Sequence, residues 1–117
     1  VKKGWIIGSH GRNHIDLTRV DRDDLASELA GSKLDLEKKS GKKVVNLAYP
    51  YGKFNKMVEK AARTAGYKRA FGVNSYPGSD RFGQPRSIVT GDMDLAEFID
   101  SLSPLAFKLR YWIFKLR

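Results

Sequence analysis

Two histidines lie four residues apart near the start of the sequence, and the chain has no other. If this segment formed one turn of helix, His10 and His14 would face the same side. Two neutral imidazoles so placed can bind Zn²⁺ or a similar divalent ion, although a catalytic zinc usually takes three protein ligands. Gly11 follows His10, where the zinc-peptidase helix has glutamate. The pair indicates either part of a metal site or two loop histidines that are only hydrogen-bonded.

A second motif, Tyr49-Pro50-Tyr51-Gly52, follows an apolar run and ends it, because proline and glycine favour a turn. Taken alone, this motif indicates a strand-ending turn with two packed aromatic side chains. The histidine segment likewise follows a short apolar run at residues 4–8. In α/β folds, sites are built at the carboxyl ends of the strands, so the histidines stand where a ligand is expected.

Strand and helix patterns alternate along the chain. Strands are predicted at residues 4–8, 43–49 and 67–73, with a short fourth at 87–89. Helices are predicted over about 22–40, from 56 to 65 and from 95 onward, with N-caps at Asp21, Asn55 and Asp94. Gly41 and Gly66 are expected to end the first two helices. This alternation predicts an α/β fold whose parallel strands are covered by helices.

Size and composition limit the function classes. The 117 residues suit one domain, and the first residues look like the lead-in to a strand, so we predict that the chain begins inside a larger fold. Cysteine is absent, which excludes disulfides and thiolate metal sites. The net charge of +9 favours anionic partners or indicates a solvated basic surface. No apolar run is long enough to span a bilayer.

Three segments, in their order and spacing, resemble the polysaccharide deacetylases, also called carbohydrate esterase family 4 or NodB-homology enzymes: Ile6-Ile7-Gly8-Ser9-His10, His14-x-Asp16-Leu17 and Ala48-Tyr49-Pro50-Tyr51-Gly52. The resemblance spans roughly residues 4–102 and is greatest to the poly-N-acetylglucosamine deacetylase subgroup. It implies that residues 1–103 are the C-terminal part of a distorted (β/α) barrel. Pro104 interrupts the last helix, so residues 104–117 are predicted to form a separate basic amphipathic helix.

The resemblance also implies roles for single residues. His10 and His14 match the two histidines that hold a divalent metal in the family, usually zinc. Pro50 and Tyr51 match its Pro-Tyr segment, where the aromatic residue's backbone N–H donates to the oxyanion; one such donor is worth roughly 3 kcal/mol. Tyr49, Pro50 and Tyr51 are accordingly expected to bind substrate. A metal held by the histidines would lower the pKa of a water to near 7.

Several departures from the family pattern lead us to expect a catalytically incomplete chain. No Asp-Asp pair precedes the histidines, and no later histidine is present to act as general acid. Ala48 stands where most members carry an arginine that orients the catalytic aspartate. We hypothesise that Arg86 supplies a substitute guanidinium; otherwise it is a surface or packing residue. Gly11 and Ile15 also replace the family's usual Ser/Thr and Pro.

The C-terminal segment combines an apolar stripe with flanking basic residues. At helical spacing, this stripe comprises Leu105, Leu109, Trp112, Ile113 and Leu116. The pattern is typical of a helix lying on a membrane surface, and equally of a C-terminal helix docked on the barrel with snorkelling basic side chains.

The leading hypothesis is therefore a metal-dependent hydrolase that removes N-acetyl or O-acetyl groups from a polysaccharide or glycan. One alternative is a non-catalytic carbohydrate-binding relative; another is a basic peripheral module that uses residues 105–117 on anionic lipid. No common nucleic-acid recognition motif is present, so no nucleic-acid partner is expected. Exposed sheet edges would favour self-association. A cell-envelope or membrane-peripheral location is the expectation from this hypothesis.

Overall fold

The computed structural model describes residues 4–73, 80–103, 105, 108–109 and 112. Four strands form one sheet, in the order β1-β2-β3-β4, and all neighbouring strands are parallel. They are β1 (Gly8–Ser9), β2 (Asn46–Ala48), β3 (Arg69–Gly72) and β4 (Gln84–Pro85). The predicted α/β fold with parallel strands is therefore confirmed.

Helices lie between β1 and β2 and between β2 and β3, and a further helix follows β4. They are α1 (Arg22–Ala26), a π-helical stretch (Ser27–Gly31), α2 (Ser32–Ser40), α3 (Lys56–Thr64) and α4 (Leu95–Leu102). The first three follow one another without a break, which confirms the long helix predicted over residues 22–40. Two short 3₁₀ turns, Leu17–Arg19 and Pro50–Gly52, follow β1 and β2 respectively.

Local signals set the helix ends. Each predicted N-cap side chain accepts a hydrogen bond from the first turn of its helix: Asp21, Asn55 and Asp94. Gly41 and Gly66 have φ angles of 67° and 85° directly after the first two helical segments, as helix-ending residues do. Because these signals lie within a few residues of each helix end, the sequence alone was enough to predict them.

The core lies between the sheet and the helices. From the long helix, Leu25 and Leu29 are buried in the core, and Leu36 packs partly buried against it. From α3, Val58 and Ala62 are fully buried. Leu47 at the centre of β2 and Tyr49 just beyond it are also fully buried. Strand β2 is thus held on the core, and its carboxyl end has a fixed position.

The first and fourth strands differ from prediction. β1 begins at Gly8, whereas Trp5 and Ile6 are 72% and 78% exposed. β1 pairs with β2 only from Asn46 onward, so the apolar run before Gly8 has no backbone partner among the described residues. The strand predicted at residues 87–89 is also wrong: β4 is Gln84–Pro85, beside the end of β3. Apolar composition alone could not predict the bounds of these strands, because a strand also requires backbone hydrogen bonds to a neighbouring strand.

The C-terminal tail falls mostly outside the described residues. Of the predicted apolar stripe, Leu105, Leu109 and Trp112 are described, and all three are exposed. Ile113 and Leu116 lie outside the described residues, so contact of residues 105–117 with a membrane surface stays a prediction. Within the described segments, no helix combines the length and hydrophobicity that crossing a membrane requires.

Glu37 links α2 to the lead-in of β2 and gives the fold a pH dependence. Its carboxylate accepts hydrogen bonds from the Lys33 ammonium and, at 2.8 Å, from the Val44 N–H, and these lower its pKa below 4.5. A lowered folded-state pKa stabilises the protein above the unfolded-state pKa, and this contribution is lost as the pH falls through the folded-state value. The wild type should therefore exceed Glu37→Gln in free energy of unfolding at pH 7, and the difference should shrink as the pH falls through the lowered pKa of Glu37.

Urea unfolding at a series of pH values measures this difference. Asp23→Asn is a matched control for the loss of one negative charge, since Asp23 is exposed on α1 of the same long helix. If the difference in free energy of unfolding between wild type and Glu37→Gln stays constant from pH 7 to about pH 3, Glu37 is not the source of this pH dependence.

Candidate functional site

The histidine segment is an irregular loop that follows β1, not the helical turn considered from the sequence. Gly11 and His14 both adopt left-handed backbone conformations, with φ angles of 75° and 53°. The two imidazoles nevertheless come together, with ring centroids 4.8 Å apart and planes tilted by 58°. The predicted pairing of His10 and His14 is therefore present in the structure, although a different backbone conformation produces it.

His10 is fixed by the end of the neighbouring strand. Its Nδ1 lies 2.7 Å from the carbonyl oxygen of Ala48, the last residue of β2. Because a carbonyl oxygen only accepts hydrogen bonds, Nδ1 carries the proton, and Nε2 of the neutral ring keeps its lone pair. Histidine ligands of metals commonly have this arrangement, with the second ring nitrogen donating to a carbonyl or carboxylate.

A buried polar cluster fixes the carboxyl end of β1. Ser9 is 2% exposed, and its hydroxyl lies 2.8 Å from that of Ser32. The Ser32 hydroxyl in turn donates to the Leu29 carbonyl, which also accepts from the Tyr67 hydroxyl at 2.9 Å. These bonds join β1 to the long helix directly before His10, so the histidine loop starts from a rigid position.

Glu28 is a residue at this site that the sequence analysis missed. It is 3% exposed, and its Oε2 accepts hydrogen bonds from the N–H groups of Arg12 and Asn13 at 2.8 and 3.0 Å. Burial opposes ionisation, but the bonds from Asn13 and Arg12 outweigh it and lower the pKa of the Glu28 carboxyl. In the sequence, Glu28 lies three residues after Leu25 and directly before Leu29. That position beside two apolar residues was the available signal that its carboxylate is buried.

The Arg12 side chain lies across the same helix. Its guanidinium forms an ion pair with Asp35 at 2.6 Å, passing over Gly31. A Cβ at Gly31 would be 2.9 Å from the guanidinium carbon, so glycine leaves the space that Arg12 occupies. The loop is therefore tied to the helix through both its backbone and one side chain.

The Pro-Tyr motif forms the 3₁₀ turn after β2. Tyr51 has a left-handed φ of 57°, uncommon for a bulky residue, and its side chain is 59% exposed. Its ring centroid lies 4.7 Å from that of His14. The turn's two backbone hydrogen bonds are donated by Gly52 and Lys53, so neither uses the N–H of Tyr51. Tyr51 thus stands beside the histidines, as the sequence predicts.

Tyr49 and Pro50 have a different position from Tyr51. Both are fully buried, and the Tyr49 hydroxyl donates to the Phe82 carbonyl at 2.8 Å. Burial also raises the pKa of the Tyr49 hydroxyl. Of the three residues of the motif, only Tyr51 therefore exposes its side chain, and contact of the motif with substrate stays a prediction. Tyr49 and Pro50 instead support the turn that presents Tyr51.

Arg86 lies behind the same turn. It follows β4, and its Nη2 donates to the Tyr49 carbonyl at 2.7 Å. Its Nε is buried and has no hydrogen-bond partner among the described residues, and burial lowers the pKa of the guanidinium. The structure therefore brings Arg86 to the Pro-Tyr turn, whereas the hypothesis that it replaces the family's arginine stays a prediction.

Asp16 and Asp94 have local roles as caps. Asp16 caps the 3₁₀ turn at Leu17–Arg19, and the hydrogen bond from the Thr18 hydroxyl, together with Lys53, lowers its pKa to about 2. Asp94 forms the capping box of α4. In the part of the chain that the structure describes, no group of three His, Asp or Glu side chains is placed to hold a metal. The described site is a histidine pair beside the exposed side chain of Tyr51.

Comparison with known proteins identifies the family. A model of the polysaccharide deacetylase family matches residues 1–70. The chain belongs to the polysaccharide deacetylase family. The histidine loop, Glu28 and the Pro-Tyr turn of this polysaccharide deacetylase chain lie within the matched region, whereas Phe82 and Arg86 lie outside it. Among the curated proteins, none matches the chain significantly in sequence.

Solved structures agree with this fold. The Streptococcus pyogenes deacetylase PplD in complex with acetate matches with a TM-score of 0.73 and 23% identity, over 81% of this chain and 43% of that one. BC0361, a polysaccharide deacetylase from Bacillus cereus, matches with a TM-score of 0.69 and 26% identity, over 82% of this chain and 31% of that one. BA0330 from Bacillus anthracis matches with a TM-score of 0.72 and 24% identity, over 82% of this chain and 31% of that one. The chain spans less than half the length of these neighbours.

Proposed function

We propose that this chain supplies the metal-binding histidines and the oxyanion-binding turn of a metal-dependent deacetylase that acts on N-acetylated polysaccharide. The observation that carries the proposal is the convergence of His10, His14 and Tyr51 at the ends of two adjacent strands. Membership of the polysaccharide deacetylase family supports the reaction type and the substrate class.

The histidines fit a divalent transition metal, most plainly zinc. His10 presents Nε2 because its Nδ1 is committed to the Ala48 carbonyl, and the ring of His14 lies beside it. Imidazole nitrogens suit zinc, whereas Mg²⁺ and Ca²⁺ prefer oxygen ligands. When bound, such an ion supplies Lewis-acid polarisation of the acetyl carbonyl and a water acidic enough to act as nucleophile near neutral pH.

Tyr51 completes the proposed site. Hydrolysis of an acetamide builds negative charge on the former carbonyl oxygen, and a fixed N–H donor stabilises that charge, typically by about 3 kcal/mol. The N–H of Tyr51 is used by neither hydrogen bond of its turn, and Arg86 together with buried Tyr49 holds that turn rigid. The exposed Tyr51 ring gives the sugar a surface at the same position.

The general base is the part that this chain does not supply among its described residues. Asp16 and Asp94 are engaged as caps, and the Asp92 carboxylate accepts a hydrogen bond from the Thr90 side chain. We therefore propose that residues 1–117 bind metal and product but do not turn over substrate by themselves. A third ligand and a base would have to come from elsewhere, consistent with the chain's coverage of 43% of PplD.

Product binding tests this proposal directly. In ¹H–¹⁵N spectra of the zinc-loaded chain, acetate should cause a saturable shift of the Tyr51 amide resonance, because the carboxylate can accept from that N–H. The shift should vanish with a chelator, and chloride at equal ionic strength is the control. PplD, whose structure contains acetate, supports the choice of probe.

Acetate release from an N-acetylglucosamine polymer is the accompanying assay, and we expect no zinc-dependent turnover by residues 1–117. A zinc-loaded chain whose Tyr51 amide does not respond to acetate would contradict the assigned oxyanion turn. Zinc-dependent acetate release would instead show that the chain carries its own base.

A further inference from the structure

We propose that Glu28 is a positioning residue, which holds His14 in place by accepting hydrogen bonds from the loop that precedes it. The inference rests on the proposed function only in taking His14 as a metal ligand. Its geometric part concerns the loop alone and can be tested without metal.

The bonds from Glu28 reach the two residues directly before His14. Its Oε2 accepts from the backbone N–H groups of Arg12 and Asn13, and its Oε1 accepts from the Asn13 side-chain amide at 2.5 Å. A carboxylate that is 3% exposed has lost most of its hydration, so these three donors replace its water contacts. The loop and the carboxylate therefore stabilise each other strongly.

The loop needs such an anchor because its backbone conformation is unfavourable. His14 has a φ of 53°, and non-glycine residues keep such angles only where the surroundings hold them. Gly11, with a φ of 75°, also lies against the anchor, since a Cβ there would be 3.2 Å from Glu28 Oε2. Without the carboxylate, we expect His14 to relax to a negative φ and its ring to leave His10.

Other contacts also reach this part of the loop, since the His14 ring lies 4.7 Å from that of Tyr51 and Ile15 packs partly buried against the core, but neither accepts hydrogen bonds from the N–H groups before His14. The Arg12–Asp35 ion pair has side chains 41% and 53% exposed, and exposed pairs of this kind contribute little. The Ala48 carbonyl holds His10, not His14. The two histidines therefore have separate anchors, one at the end of β2 and one on the long helix.

One helix serves both the histidine loop and the core at a π-helical stretch. Glu28 and Leu29 are adjacent in sequence, yet they are 3% and 0% exposed. Both lie in the π-helical stretch Ser27–Gly31, where the helix is wider than an α-helix. Glu28 thereby contacts the histidine loop while Leu29 packs in the core. Stretches of this kind are frequent at functional sites.

Imidazole resonances in long-range ¹H–¹⁵N spectra of the metal-free chain provide the test. Glu28→Leu removes the acceptors and keeps a side chain of similar size, so the His14 resonances should shift, whereas the His10 ring should keep the protonated Nδ1 that its hydrogen bond to the Ala48 carbonyl requires. Glu28→Gln should preserve the resonances of both histidines. Its amide oxygen can accept from the N–H groups of Arg12 and Asn13, and the Asn13 side-chain amide can rotate so that its oxygen accepts from the new NH₂ group. Asp35→Asn, which removes the exposed partner of Arg12, is the matched control and should leave both unchanged.

Zinc affinity is the second readout. Glu28→Leu should weaken zinc binding by about tenfold or more, whereas Glu28→Gln should remain within about threefold of wild type. Unchanged His14 resonances in Glu28→Leu would overturn the proposal, as would their displacement in a folded Glu28→Gln. If Glu28→Leu does not fold, the His14 resonances of Glu28→Gln test the proposal: unchanged resonances support it, and displaced resonances contradict it. If the wild type binds no zinc, the proposed function fails, but the metal-free spectra still decide the role of Glu28.

Discussion

Replacing either His10 or His14 with alanine should weaken zinc binding by at least about 100-fold. The two imidazoles lie 4.8 Å apart by their centroids, and each variant leaves a single histidine in a chain without cysteine. One imidazole with no described carboxylate beside it is a poor zinc ligand set, since protein zinc sites usually have three or four ligands. Calorimetric titration of each variant with zinc measures the loss.

The net charge of +9 makes this measurement sensitive to a specific site, because it disfavours non-specific binding of cations. Asp92→Asn removes an exposed carboxylate outside the site and should leave the affinity unchanged. Equal zinc affinities in the wild type and both histidine variants would contradict the assignment of His10 and His14 as ligands.

Replacing Gly52 with alanine should destabilise the fold by about 2 kcal/mol or more. Gly52 has a φ of 68°, and a Cβ there would overlap the Val73 side chain and lie 2.6 Å from the Val73 nitrogen. Relief requires movement of the Pro50–Gly52 turn away from the end of β3. We therefore also expect the Tyr51 amide of this variant to lose its response to acetate. Urea unfolding measures the first effect, and the acetate titration measures the second.

Gly41→Ala is the matched control for this substitution. Gly41 has a nearly identical φ of 67°, but a Cβ there meets nothing within 4 Å. Gly41→Ala should lower the free energy of unfolding by only about 1 kcal/mol, because it adds the conformational strain without the steric clash. Equal losses at positions 41 and 52 would show that contact with Val73 does not constrain the turn.

The parts of the molecule that the sequence predicted correctly depend on local signals. Asp21, Asn55 and Asp94 cap helices through contacts within three residues, and the histidine pair is visible as a spacing. The strand bounds failed because pairing depends on a distant partner: Trp5 and Ile6 are apolar but exposed. Hydrophobic pattern alone does not contain that information.

The supporting residues of the site were hidden for a related reason. Glu28 has the composition of an ordinary helix-surface residue, and only the return of the histidine loop onto the helix makes it a buried acceptor. Tyr49 was grouped with Tyr51 because the two flank one proline, yet the left-handed turn exposes one ring and buries the other. Backbone conformation separated them.

The contact between His10 and Ala48 also has a kinetic consequence, since it joins residues 38 positions apart. Parallel strands pair only after the intervening chain has crossed over, and such long-range closure is slow compared with the formation of local helices. The long helix should therefore form before the sheet edge that carries both histidines. A metal ion would encounter no preformed ligand pair in the nascent chain, and metal loading would follow closure of the sheet rather than guide it.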